Sequence, residues 1–104
     1  MNTFYPQYLE VLMEHKIIHD EKAQKFYCIV DNLESHMMYD KINDHTLDYY
    51  HTYVPTQLRG KKIAGSLLTA AAKYAMENNL KVIPSCSYAA SFFQRHSEYS
   101  SVVD

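Results

Sequence analysis

Val54-Pro55-Thr56-Gln57-Leu58-Arg59-Gly60-Lys61-Lys62-Ile63-Ala64-Gly65 stands between an aromatic, strand-like run (Leu47 to Tyr53) and the most regular helical pattern in the chain (Lys62 to Asn78). It therefore reads as a strand-to-helix turn. Gly60 can take φ > 0 or bring its backbone close to a ligand, and Arg59, Lys61 and Lys62 set three cations beside the first N–H groups of a helix. Positive charge there is unfavourable by about 0.3–1 kcal/mol per exposed residue. An anion at the turn, phosphate above all, removes that conflict; a Gly N-cap with a solvated basic first turn is the plainer alternative. A P-loop does not fit, because Ser66-Leu67 stands where its Lys and Ser/Thr belong, and no GxGxxG is present.

Working outward, Ile63, Ala64, Leu67, Leu68, Ala71, Ala72, Ala75 and Met76 form one apolar stripe at helical spacing. Asn79 suits a left-handed C-terminal cap with Leu80 folding back on the helix. Lys81 to Pro84 then predicts a short strand, returning parallel to the strand before the helix in a right-handed crossover. Ser85-Cys86-Ser87 follows at its carboxyl end, facing the basic turn across a crevice. Ser87 is the expected cap of a last helix reaching about His96, with Ala89, Ala90, Phe92 and Phe93 inward, and Ser97 to Asp104 is a tail anchored through Tyr99, Val102 and Val103.

Upstream, period-2 patterns predict an antiparallel meander: an edge strand at Ile17 to His19, a strand at Lys25 to Val30 with Phe26, Cys28 and Val30 on one face, a tight turn at Asp31-Asn32, and strands at Glu34 to Ile42 and Thr46 to Tyr53. On the last of these, strict alternation puts Leu47, Tyr49, His51 and Tyr53 on one face and Tyr50, Thr52 and Val54 on the other. Pro55 ends the ladder. Residues 1–16 carry Phe4, Tyr5, Tyr8, Leu9 and Leu12 on one helical stripe, an N-terminal helical extension. The whole of 1–104 is read as one α/β domain, mixed and α+β-like.

A chain of 104 residues has the length of a single domain. Its hydrophobic content of 47% with 21% charged residues is that of a globular fold. A net charge of −2 offers no general attraction to nucleic acid, so the basic turn is a local feature suited to a small anion. Cys28 and Cys86 follow no zinc-site or disulfide spacing, which points to reduced thiols, no metal and a cytoplasmic protein. No membrane span or signal sequence is expected, and a monomer is the expected state.

The residues also carry a family resemblance. Val54-Pro55 followed by Arg59-Gly60-x-x-Ile63-Ala64 at the start of a long helix resembles motif A of the GNAT superfamily of N-acetyltransferases, whose pyrophosphate loop reads Gln/Arg-x-x-Gly-x-Gly/Ala. His51-Thr52-x-Val54-Pro55 and Leu80-Lys81-Val82-Ile83-Pro84-Ser85-Cys86 are similar to a branch of small stand-alone domains, over about Ile17 to the C-terminus. Lys62 departs from the pattern at the second Gly/Ala position, where it either crowds the pyrophosphate or pairs with it.

The resemblance implies a minimal GNAT fold, acetyl-CoA as cofactor, and transfer of an acetyl group to a primary amine of a small molecule or protein. The coenzyme would lie against Thr52, Val54, Arg59, Gly60, Lys61, Lys62, Ile63, Ala64, Gly65 and Ser85. Such transfer needs a base, and His51, just before the place where the strands part, is the best placed of the six histidines. Cys86, beside a helix N-terminus that favours a thiolate, is the second candidate. Tyr88 and Tyr99 are candidate acids for the departing thiolate, one choice among ten tyrosines. Cys28 reads as core, and His15, His19, His36, His45 and His96 as surface. A CoA-binding or protein-interaction module with little catalysis is the competing function.

Overall fold

A computed structural model describes residues 16–104. The extension expected over residues 1–16 falls outside them, Lys16 excepted. Five strands lie in sequence order in one sheet: β1 (Ile18–Asp20), β2 (Lys25–Val30), β3 (Leu33–Asn43), β4 (Thr46–Tyr53) and β5 (Lys81–Ile83). The first four are antiparallel and β5 runs parallel to β4. Asp31 and Asn32, both at positive φ (54° and 63°), close the β2–β3 hairpin in the conformation that short polar side chains tolerate.

The parallel strand is supplied by a crossover through α1 (Ile63–Glu77). The helix lays Leu67, Leu68, Ala71, Ala72 and Ala75 on the sheet, all essentially inaccessible. Its alanines allow the close approach, and Tyr49 of β4 donates a buried hydrogen bond to the Ala71 carbonyl at 2.8 Å. Met76 instead turns to solvent. A second helix, α2 (Ser87–Arg95), packs on α1 and β4 through Ala89, Phe92 and Phe93. The tail completes the core: it coils through a 3₁₀ segment (Ser97–Val102), buries Val102, and bridges Val103 to Val82 along the outer edge of β5.

The expected alternation along β4 changes here. Met38 pairs with His51 but Tyr39 pairs with Tyr49, so Tyr50 is an extra residue, a β-bulge, in β4. The bulge reverses the alternation. Tyr49, Thr52 and Val54 therefore face the α1 side, whereas His51 and Tyr53 face away from it, and His51 does not share a face with Leu47 and Tyr49.

Three histidines expected at the surface are partly buried because each has found a hydrogen-bond partner and an aromatic ring. His19 bonds Tyr39 Oη at 2.7 Å and stacks on Phe26 at 4.0 Å. Burial holds the His19 imidazole below its ordinary range and pushes the Tyr39 phenol up to about 12. His96 donates from Nδ1 to the Phe92 carbonyl at 2.9 Å and stacks on the Phe92 ring at 4.1 Å. His36 donates from Nδ1 to Glu34 at 2.9 Å. Cys28 is core as expected, 1% exposed, and its burial pushes the thiol up.

Candidate functional site

β5 pairs with β4 only at Thr46, Leu47 and Asp48, while β4 continues to Tyr53. Beyond Asp48 the two chains part, linked across the gap by the Cys86 N–H, bonded to the Tyr49 carbonyl at 3.1 Å, and by the 3.3 Å contact of Cys86 Sγ with Thr52 Oγ1. The result is a slot with a stretch of unpaired strand edge along one wall. At the carboxyl end of β4 the chain makes a 3₁₀ turn (Thr56–Leu58), buries Leu58, and swings into the basic loop.

That loop has a defined shape. Gly60 sits at φ 86° and Lys62, the N-cap of α1, at φ 65°, a left-handed conformation that costs a residue with a Cβ about 1 kcal/mol or more. Lys62 gives no side-chain cap, and no acidic residue stands in the first turn. The N–H groups of Ile63, Ala64 and Gly65 consequently have no acceptor within the helix. Arg59 is held across the turn by an Nε–H bond to the Val54 carbonyl at 3.1 Å. Val54, Leu58, Arg59, Gly60, Lys62, Ile63, Ala64 and Tyr88 line a cavity of about 300 Å³.

Thus Val54, Arg59, Gly60, Lys62, Ile63 and Ala64, singled out in the sequence, meet at one cavity. Exposed Lys61, Gly65 and Ser85 and half-buried Thr52 are not part of its wall. Leu58 and Tyr88 join it; the apolar Leu58 gave no signal of its own, because its role depends on the turn that follows Pro55. Tyr99 lies elsewhere, stacked on Phe92 at 5.9 Å.

Cys86, not Ser87, caps α2: its Sγ accepts the Ala89 N–H at 3.4 Å and lies 3.3 Å from Thr52 Oγ1. Serine has the better capping reputation, but the extended backbone at Cys86 (φ −82°, ψ 153°) starts the helix one residue sooner. The sulfur therefore stands at the slot accepting an N–H and sharing a hydrogen bond with a hydroxyl, at the positive end of a helix. His51, exposed on the other face, has its ring centroid 5.5 Å from that of His36 and 6.5 Å from that of Tyr50. Cys86 and His51 thus flank β4 from opposite sides of the sheet. Among the described residues no cluster of three or more His, Cys, Asp or Glu could hold a metal ion, and no helix is long and apolar enough to cross a membrane.

A strand edge left open beside a basic helix N-terminus, in a mixed sheet of this order, is the architecture of an acetyltransferase-type domain. Comparison with known proteins agrees. The family model for GCN5-related N-acetyl-transferases matches residues 25–102. A GCN5-like protein of Staphylococcus aureus, solved by NMR, superposes with a TM-score of 0.70 at 31% identity, covering 88% of this chain and 89% of that one. Protein NATD1 of Danio rerio is 28% identical over 95 residues, spanning 88% of this chain and 86% of the relative. The Xenopus tropicalis NATD1 is 28% identical over 83 residues, with 78% and 76% covered. The chain belongs to the GCN5-related N-acetyltransferase family.

Proposed function

We propose that the protein is an acetyl-CoA-dependent N-acetyltransferase that moves the acetyl group directly to a primary amine. The observation that carries this reading is the shared cavity: the start of α1 at Ile63 and Ala64, the Arg59 and Lys62 cations, and Val54, the residue that follows the open edge of β4, all border one space. These residues fit the coenzyme. Ile63, Ala64 and Gly65 N–H groups with Gly60, Lys61 and Lys62 would hold the diphosphate. The backbone of Thr52 to Val54, with Ser85 opposite, would hold the pantetheine arm as if it were a further strand.

Acetyl-CoA supplies the thioester carbonyl; the chain supplies position and protons. Cys86 lies on the α1 side of β4 and His51 on the other, so the acceptor amine approaches from the His51 side. His51 takes the proton that nitrogen must lose as its bond to the acetyl carbon forms. The Cys86 thiol, Tyr88 or water would supply the proton for the CoA sulfur as it departs with the C–S bonding pair. The free state of both thiols fits a reducing compartment, the cytoplasm.

The test separates binding from turnover. Acetyl-CoA is expected to bind with micromolar affinity in calorimetry, and His51→Ala and Cys86→Ala to retain that affinity within about threefold while losing roughly tenfold or more of the amine-dependent CoA release. Absence of both heat and thermal shift with CoA or acetyl-CoA contradicts the reading. Binding by the parent protein without turnover on any amine supports a CoA-binding module instead, a role that the Lys62 departure from the family pattern would suit.

A further inference from the structure

The face of the sheet turned away from α1 carries a connected row of polar groups that the proposed reaction does not yet use. Lys25 on β2 donates to Glu34 Oε2 on β3 at 2.9 Å. The same oxygen accepts from His36 Nδ1 at 2.9 Å, and the His36 ring lies 5.5 Å from that of His51 on β4, at the slot. The register explains the row: Lys25 opposes Met38, Tyr27 opposes His36, and His36 opposes Tyr53, so all of these side chains emerge on one face. His51 joins them only because the Tyr50 bulge turned it there.

We propose that Glu34 and His36 are positioning residues that, with His51, form a proton-accepting relay serving an amine that approaches on this face. The inference rests on the acetyltransferase reading. Glu34 fixes the hydrogen of His36 on Nδ1 and leaves the Nε2 lone pair as acceptor, the orientation in which an imidazole works as a base. The Lys25 ammonium, followed by the His36 hydrogen bond, holds the Glu34 carboxyl below its ordinary range despite partial burial, so it is ionised wherever the reaction can run. When the amine nitrogen forms its bond to the acetyl carbon, its proton goes to His51. His51 passes it to His36, whose ring centroid lies 5.5 Å from its own, directly or through solvent, and the resulting imidazolium is paired with Glu34 until solvent removes the proton. Titratable neighbours of the two rings are Glu34, Tyr27 and Tyr53 at His36 and Tyr50 at His51, with Lys25 bonded to Glu34 and the Asp40–Asp48 pair further along the same two strands; Lys25 opposes the charged state, and Glu34 and the two aspartates favour it.

An isolated exposed ion pair is worth under about 1 kcal/mol and would leave catalysis untouched, so the experiment must read more than stability. In the full-length protein, with n-propylamine as the amine probe, Glu34→Gln is expected to keep acetyl-CoA affinity within about twofold by calorimetry. It should lower amine-dependent CoA release by roughly tenfold and move the rising limb of the kcat/KM–pH profile to lower pH, since the carboxylate that favours the imidazolium is gone. His36→Gln should lower the rate similarly, and Glu34→Asp should restore part of it. A wild-type rate and profile in both Gln variants overturns the proposal. If the parent binds acetyl-CoA without turning over the probe, the ring resonances of His36 and His51 decide by NMR. Titrations that are coupled to each other and shifted by Glu34→Gln support the relay while the enzymatic reading fails, whereas two independent titrations, unmoved by Glu34→Gln, overturn it.

Discussion

The two ends of α1 are finished in opposite ways. At the carboxyl end Asn79 takes φ 55°, its N–H bonds the Met76 carbonyl at 3.3 Å, and Leu80 N–H reaches back to Ala75 at 2.9 Å. The Asn78 side chain closes on the Tyr74 carbonyl at 2.8 Å. Such a Schellman closure satisfies the carbonyls that a helix end would otherwise leave open. The amino end has no capping side chain and no acidic residue, yet three cations border it and a residue with a side chain is held at positive φ. One terminus is sealed by the chain itself. The other retains unpaired donors and unfavourable charge, which is the state expected of a helix end completed by a ligand.

The contrast can be broken most forcefully by charge. Arg59→Glu is expected to weaken acetyl-CoA binding by well over tenfold in calorimetry, while loss of the Nε–H bond to the Val54 carbonyl lowers stability by only about 1 kcal/mol. A Glu variant that binds like the parent would move the anion site away from α1.

A paired comparison sharpens it. Asn79→Ala at the sealed end places a Cβ residue without a compensating side chain at positive φ and should destabilise by about 1 kcal/mol, read by urea denaturation, with unchanged affinity. Lys62→Gly at the open end should do the reverse, stabilising by up to about 1 kcal/mol through relief of the left-handed backbone while weakening coenzyme binding a few-fold through loss of the ammonium. Equal responses at the two ends would erase the distinction drawn here.

The smallest effect concerns His19, which packs edge-on against Tyr74 in the last turns of α1 at 4.4 Å. Burial keeps this imidazole neutral more readily than in the unfolded chain. The unfolded state therefore binds the extra proton first, and stability present above about pH 6.5 declines as pH falls through the lowered folded value. The midpoint should drop between pH 7 and 5, and His19→Gln should flatten that slope without altering binding at the far end of the helix.

Much of the scaffold was legible because its signals are local. The stripe from Ile63 to Ala75, the Asn79 cap and the Asp31-Asn32 turn each follow from spacing or from residues that tolerate positive φ, and each was found where expected. The parallel return of β5 followed from the helical crossover that joins it to β4. What stayed hidden depends on partners distant in sequence. Tyr49-Tyr50-His51 contains nothing that marks a bulge, because the extra residue exists only relative to Met38-Tyr39 on the neighbouring strand. The facing of His51 was misread for that reason. The link from Glu34 through His36 to His51 was likewise invisible, since it joins two strands whose register no local pattern reveals. Cys86 was noticed as a thiol near a helix start, but its place as the cap itself, against Thr52, required the coordinates of both walls of the slot.

The central claim is that the free amides at the start of α1 bind the coenzyme's diphosphate. Two-dimensional ¹H–¹⁵N NMR during an acetyl-CoA titration tests it most directly. The account expects the Gly60, Lys61, Ile63, Ala64 and Gly65 amide signals to shift and saturate together, with Asn78 to Leu80 at the other end unmoved. Saturable binding that leaves the Gly60–Gly65 amides in place would contradict it.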